Sequence, residues 1–164
     1  MLPDSFDLLT ERFEKSLREL MQNLGPQLIN RAQLGLTPGQ FVMLYVIHQE
    51  GQCSVSKLAE KMEVAPSGIT AMVDRMEKSG LVHRIRDTLD RRVVNIALTV
   101  AGQEKLNQVL HVRQQIVQHC LRQLDPDDFA AFVCTLESLS SIANATNIGE
   151  FAGSLVKGSL VKER

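Results

Sequence analysis

The side chains best suited to chemistry lie close together in one stretch, RIRDTLDRRVVNIALT, at residues 84–99. It holds four arginines and two aspartates ahead of an alternating apolar run, in a chain whose net charge is −1. Guanidinium groups make charge-assisted hydrogen bonds with phosphate or carboxylate oxygens. Residues 54–98 carry eight Lys/Arg against six Asp/Glu, a local excess of two positive charges. The stretch predicts recognition of an anionic partner, provided that the arginines share one surface.

The other reactive residue types do not build a catalytic or metal site in the sequence. There is no nucleophile–base constellation and no G-x-x-x-x-G-K-[ST] phosphate loop, so we do not expect an enzyme. His111 and His119 could share a helix face, but no second pair completes a metal site, and no cofactor is indicated. Cys53, Cys120 and Cys134 are widely spaced and read as ordinary thiols, with a redox switch as the alternative.

The hydropathy pattern predicts a soluble, cytoplasmic protein with no membrane partner. The longest apolar run, FVMLYVI at 41–47, is far shorter than the ~18 residues that a membrane span needs. The N-terminus lacks the basic and apolar regions of a signal peptide.

The elements that would position the arginines are short helices followed by two strands. Thr37, Pro38 and Gln40 form a capping box that begins a helix ending near Glu50. Two further short helices follow, with apolar stripes and a turn at residues 63–65 between them, which is typical of a helix-turn-helix.

Residues 81–87 and 92–99 alternate with period two and predict a β-hairpin with the loop DTLDR. A two-stranded hairpin is marginal by itself, so it must lean on the helices before it. Its charges could simply prevent edge-to-edge pairing of a solvated hairpin, which is the plain alternative to a binding role.

In this order of elements the chain resembles the MarR family of winged helix-turn-helix transcription regulators. The segment that carries the resemblance is SVSKLAEKMEVAPSGITAMVDRMEKSGLVHRIRDTLDRRVVNIALTVAG. It contains the LA of the first DNA-proximal helix, the exit DRMEKSGLV, the Asp-x-Arg pattern at Asp90 and Arg92, and the L-T-x-x-G that begins the next helix. Thr88 and Leu89 depart from the pattern, since many members have more polar residues there. The resemblance implies a mainly α fold with a small β-hairpin.

The resemblance also implies how the chain is organised. Residues 1–36 would be an N-terminal dimerisation helix, 37–100 the winged helix-turn-helix DNA-binding lobe, and 101–147 the C-terminal dimerisation helices. Long apolar stripes in the flanking helices agree with a two-fold dimer. Residues 148–164 form a tail of uncertain structure with GSLVK in tandem: a frayed end, a short strand or an arm on a partner.

The resemblance and the charge pattern together assign DNA contacts. The first turns of the second helix would enter the major groove, where small polar side chains let bases approach. These residues are Ser67, Gly68 and Thr70. In the wing, Arg92 would reach the minor groove, oriented by the carboxylate of Asp90. Phosphate contacts are assigned to Lys57, Arg75, Arg84, Arg86 and Arg91.

These assignments predict a homodimeric, sequence-specific double-stranded-DNA-binding regulator, a repressor of a pseudo-palindromic operator. The resemblance implies release by a small-molecule effector, aromatic or of another kind, with Phe13, Leu17, Tyr45 and His48 as candidate ligand contacts. The alternative for those four is an ordinary core role. The alternative functions are a winged-helix protein-interaction module and a thiol-based redox-sensing regulator.

Overall fold

The computed structural model describes residues 5–86 and 94–161, with side chains up to residue 154. The chain divides into two compact units, residues 1–117 and 118–164. The described elements are, in chain order, α1 (Phe6–Leu24), α2 (Leu28–Arg31), α3 (Pro38–Glu50), β1 (Gln52–Ser54), α4 (Val55–Met62), α5 (Pro66–Lys78), β2 (Val82–Arg86), β3 (Val94–Leu98), α6 (Val100–Leu121), α7 (Pro126–Ala145) and α8 (Ile148–Val161).

The predicted helix-turn-helix is confirmed as α4 and α5. The Ser54 hydroxyl accepts the backbone N–H of Lys57 and so begins α4, while Glu63 ends it in the left-handed region at φ 53°. Gly80 follows the end of α5 at φ +73°, where a residue without Cβ carries no steric penalty. The capping box that begins α3 is also present, with reciprocal hydrogen bonds between Thr37 and residue 40.

The predicted hairpin pairs β2 with β3, but the sheet has a third strand that the sequence analysis missed. The order is β1-β3-β2, with both pairings antiparallel. In the register, Cys53 of β1 lies opposite Ile96, which in turn lies opposite Arg84 of β2. β3 is therefore the central strand, and β2 has a described partner on one side only. The predicted hairpin loop at 87–91 lies outside the described residues.

One apolar core holds the first unit together. It combines buried side chains from α2 to β3 with Leu106 and Val109 of α6. Most of the predicted inner stripe of the helix-turn-helix lies in this core: Leu58, Ala59, Ile69, Val73 and Met76. The other two predicted members, Met62 and Met72, are only partly buried and pack against it. Residues 101–117, assigned from the sequence to the dimerisation helices, thus belong to the same compact unit as the lobe.

The first turn of α6 is locked to the end of α5 by hydrogen bonds. The backbone N–H of Thr99 donates to the carbonyl of Leu81 at 3.1 Å, and the Thr99 hydroxyl donates to the carbonyl of Gly80 at 2.6 Å. The same hydroxyl accepts the N–H of Gly102 at 2.9 Å. A Cβ on Gly102 would lie only 1.9 Å from the carbonyl oxygen of Leu81. This close approach explains the L-T-x-x-G pattern physically.

The second unit consists of the end of α6 with α7 and α8. Asp125 caps α7 by accepting two backbone N–H groups of its first turn. The tail is helical over Ile148–Val161, which corrects the expectation of a frayed end or a short strand, while its use as an arm on a partner stays a prediction. Asn147 and Glu150 explain the helix, because the amide oxygen of Asn147 accepts the N–H of Glu150 while its amide group donates to the Glu150 carboxylate. Asn147 therefore acts as an N-cap residue for α8.

Two helices leave their apolar faces uncovered. α1 and α7 contain no buried residue, although both carry apolar stripes. The exposed large side chains include Phe6, Leu9, Phe13, Leu17 and Met21 of α1 and Phe132, Leu136, Leu139 and Ile142 of α7. None of the helices in the described ranges has the length and apolar content needed to cross a membrane.

Candidate nucleic-acid interface

The first two turns of α5 present small polar residues to solvent. Ser67, Gly68 and Thr70 are exposed, whereas Ile69 between them is fully buried. Thr70 donates its hydroxyl hydrogen to the carbonyl of Pro66 at 3.0 Å, so its oxygen lone pairs can still accept a hydrogen bond. This face can approach base edges closely. Its contact with the major groove stays a prediction.

Gly68 also has a packing role at the turn. A Cβ there would lie 3.1 Å from a methyl carbon of Val64, tighter than ordinary van der Waals contact. The absence of a side chain therefore avoids a tight contact with Val64 and leaves the outer face open.

Lys57, predicted to contact phosphate, is already paired. It and Lys61 both donate to the carboxylate of Glu50 at the end of α3, the second at 2.6 Å. These two hydrogen bonds lower the pKa of Glu50 to about 2, and the bond to Glu50 raises the pKa of Lys57. The cluster ties α4 to α3, and a phosphate would have to compete with Glu50 for Lys57.

Arg84, also predicted to contact phosphate, joins β2 to α5. One guanidinium nitrogen lies 2.5 Å from the carboxylate of Asp74, and the other donates to Glu77. The backbone N–H of Arg84 donates to Glu77 as well, at 3.3 Å. The hydrogen bond to Asp74 and the charge of Glu77 raise the pKa of Arg84.

Arg75 and Arg86 are exposed and form no ion pair with a carboxylate in the described ranges. Among the described residues, they are the predicted phosphate contacts whose guanidinium groups meet no carboxylate. Asp90, Arg91 and Arg92 lie outside the described residues, so their roles in the wing stay predictions.

Sequence reasoning missed the acidic partners of these cations. It counted Asp74 and Glu77 only as charges, yet three-residue spacing puts them on one face of α5, next to each other. Alternation in β2 likewise puts Arg84 and Arg86 on one face of the strand. These spacings are visible in the sequence, but which face of the strand meets α5 depends on the packing.

The candidate ligand residues do not line one common cleft. His48 borders an open cleft of about 300 Å³ with Gly51, Leu98, Thr99, Val100 and Gln103. Its Nδ1 lies 2.9 Å from the side-chain oxygen of Gln103. Tyr45 is exposed and stacks on Phe41 at a centroid distance of 6.2 Å. Phe13 and Leu17 are exposed on α1 and are absent from the lining of this cleft.

Cys53 lacks the environment of a reactive cysteine. Cys53 is 2 % exposed, and burial raises the pKa of its thiol. A thiolate nucleophile needs the opposite, a lowered pKa with solvent access. Cys120 and Cys134 are exposed. In the described part of the chain, no group of three His, Cys, Asp or Glu side chains is arranged to hold a metal ion.

Comparison with known proteins supplies relatives for this geometry. The model of the MarR family matches residues 36–94. The chain is 36% identical over 125 residues to the HTH-type transcriptional repressor MdtR of Bacillus subtilis, covering 76% of this chain and 81% of that protein. It is 34% identical to the HTH-type transcriptional regulator YsmB of the same organism, covering 77% and 87%.

A solved structure has the same architecture. A MarR family protein from Bacillus stearothermophilus is 33% identical, with a TM-score of 0.74, over 84% of this chain and 97% of that one. These likenesses include both the helix-turn-helix and the helices around it.

Proposed function

Because the chain belongs to the MarR family of DNA-binding transcriptional regulators, we propose that it is a dimeric repressor of a pseudo-palindromic operator. The similarity to a relative named as a repressor supports the direction of regulation. The observation that carries the DNA-reading role is the exposed, small and polar start of α5 above a fully buried Ile69.

The homodimer is supported by the uncovered apolar faces of α1 and α7. Contiguous exposed apolar surface of this kind marks interaction sites in proteins. A second copy would cover these stripes by two-fold symmetry, since the same faces would then be presented by both partners. The family resemblance implies the same arrangement, in which two recognition helices about 34–36 Å apart would read the two half-sites.

DNA contact in this proposal has three parts. Ser67, Gly68 and Thr70 approach base edges in the major groove, and Arg75 and Arg86 bind the phosphate backbone. Arg92 enters the minor groove with Asp90 as its orienting carboxylate. Steep salt dependence follows, since each phosphate contact releases counterions.

We also propose that a small-molecule effector relieves repression. The cleft beside His48 supports this, because its size is at the lower end of the range for small-molecule sites. It adjoins Thr99, the residue that joins α6 to the end of α5. A ligand there would contact Thr99, whose hydrogen bonds to Gly80 and Leu81 hold α6 against the end of the recognition helix.

Selection of bound sites from random double-stranded DNA tests the proposal. We expect an enriched pseudo-palindrome, an affinity that falls steeply with salt, and a dimer by light scattering at micromolar concentration. Arg92→Ala should weaken operator binding by about 1–3 kcal/mol, while Arg122→Ala, which removes a charge from the second unit, should not. Salt-independent binding, or a monomer at this concentration, would contradict the proposal.

A further inference from the structure

We infer that Arg84 is a positioning residue, which fixes the hairpin against the recognition helix through Asp74 and Glu77, and is not a phosphate contact. The inference rests on the proposed DNA-binding function and assigns a residue that this function leaves open.

The geometry is that of a bridge between two elements. Asp74 and Glu77 stand one helical turn apart on α5, and the two ends of the Arg84 guanidinium reach one carboxylate each. The N–H of the same residue donates to Glu77 at 3.3 Å, so the main chain of β2 is attached as well. A planar guanidinium with fixed donor directions suits such a two-sided contact, whereas a lysine ammonium cannot reproduce it.

The position of β2 explains why a bridge is needed. β2 is paired with β3 on one side and has no described strand on the other. The pairing with β3 sets the register of β2. The distance between β2 and α5 depends instead on side-chain contacts. Arg84 lies opposite Ile96 in the middle of the β2–β3 pairing, so it holds the centre of the strand.

The charges argue against a phosphate role. A phosphate at Arg84 would sit beside two carboxylates, which repel it and already take two of the five guanidinium N–H donors. Arg86, two residues along on the same strand, is exposed and has no ion pair with a described carboxylate. It can supply the phosphate contact on this strand.

The test compares variants whose effects differ in sign. If Arg84 bridges, Asp74→Asn and Glu77→Gln should each weaken binding to the selected operator, and Arg84→Lys should weaken it about tenfold, within the range for a displaced base contact. If Arg84 binds phosphate, neutralising either carboxylate should tighten binding, because it frees the arginine and removes repulsion. Arg84→Lys should then retain most of the affinity.

The ratio of operator affinity to random-DNA affinity gives a second readout. Loss of folded protein would not change this ratio, because it lowers both apparent affinities equally. A lost phosphate contact weakens binding uniformly across DNA sequences, whereas misplaced reading elements weaken operator binding more than binding to random DNA. The ratio of the two affinities should therefore fall in all three variants. In the combined Arg84→Lys and Asp74→Asn protein the losses should not add, because both remove the same bridge.

Glu63→Gln is the matched control. It neutralises an exposed carboxylate of the same lobe, in the turn between α4 and α5, that does not contact Arg84. We expect equal or slightly tighter binding. Tighter binding by Asp74→Asn and Glu77→Gln, as in this control, would overturn the inference and leave the proposed function intact. A wild-type protein that selects no DNA would instead overturn the proposed function.

Discussion

Replacing Gly102 with alanine tests whether the first turn of α6 is locked against the end of α5. A Cβ at this position would lie 1.9 Å from the carbonyl oxygen of Leu81 and 2.9 Å from its carbonyl carbon. Backbone carbon–oxygen contacts are normally about 3.3 Å or longer, so the two segments must separate by roughly 1.4 Å. Both sides of the contact are backbone, and no side chain can rotate away to relieve it.

The magnitude follows from three contributions. Inserting a methyl group into a packed site costs about 1–3 kcal/mol, and the separation weakens the bonds from Thr99 to Leu81 and Gly80, at about 1 kcal/mol each. Against this, alanine gains at most about 1 kcal/mol of helix propensity over glycine. We expect a net loss of about 2–4 kcal/mol, which lowers the melting temperature by roughly 5–15 °C for a chain of this size.

Urea denaturation followed by far-UV circular dichroism, at one fixed protein concentration, measures this loss. Gly153→Ala is the matched control, because Gly153 is also helical but has no atom within 4 Å of a built Cβ. The control should be as stable as the wild type or slightly more stable. If Gly102→Ala is as stable as the control, the gain in helix propensity outweighs the backbone contact with Leu81. The proposal that this contact requires glycine is then refuted.

Three further results are expected. Glu50 has a folded-state pKa of about 2, below its ordinary value, so the stability from its bonds with Lys57 and Lys61 is present above about pH 4.3 and is lost as pH falls towards 2. In denaturation curves, Glu50→Gln should therefore lose less stability than the wild type on acidification, and an unchanged pH slope would count against this. Asp125→Ala should cost about 1 kcal/mol by urea denaturation while Asp125→Asn retains the cap, and equal stability of all three proteins would contradict the capping role. Cys53 should react with a maleimide far more slowly in the native protein than in urea, and equal rates would disprove its burial.

The lobe that reads DNA could be predicted from the sequence because its signals are local. Caps, prolines at helix starts and a glycine after α5 lie within a few residues of the boundaries that they set. The apolar stripe of Ile69, Val73 and Met76 repeats with helical period and lies in the core as predicted. The family resemblance rested on the spacing of the same residues, and it is confirmed.

The features that the sequence did not predict depend mostly on contacts between distant parts of the chain. β1 has three residues and no alternation long enough to read, and it exists because Cys53 pairs with Ile96. The partners of Arg84 could not be predicted, since its face is chosen by how β2 packs on α5. The helix of the tail was predictable, because Asn147 is a local capping signal in the sequence. The repeated GSLVK was interpreted instead, and it does not indicate a helix.

The central place of β3 sets an order in which the sheet can open. Residues 95–97 of β3 are paired with β1 on one side and with β2 on the other, so solvent reaches their amide hydrogens only after a neighbouring strand separates. The protection of an amide in hydrogen exchange reflects the free energy of that opening. β1 and β2 each pair only with β3 among the described strands, and each places one side chain in the core, Cys53 and Val82, so either can separate while β3 stays paired on its other side. We therefore expect the amides of β3 to exchange more slowly than those of the two strands beside it, so that an outer strand can open without unfolding the lobe.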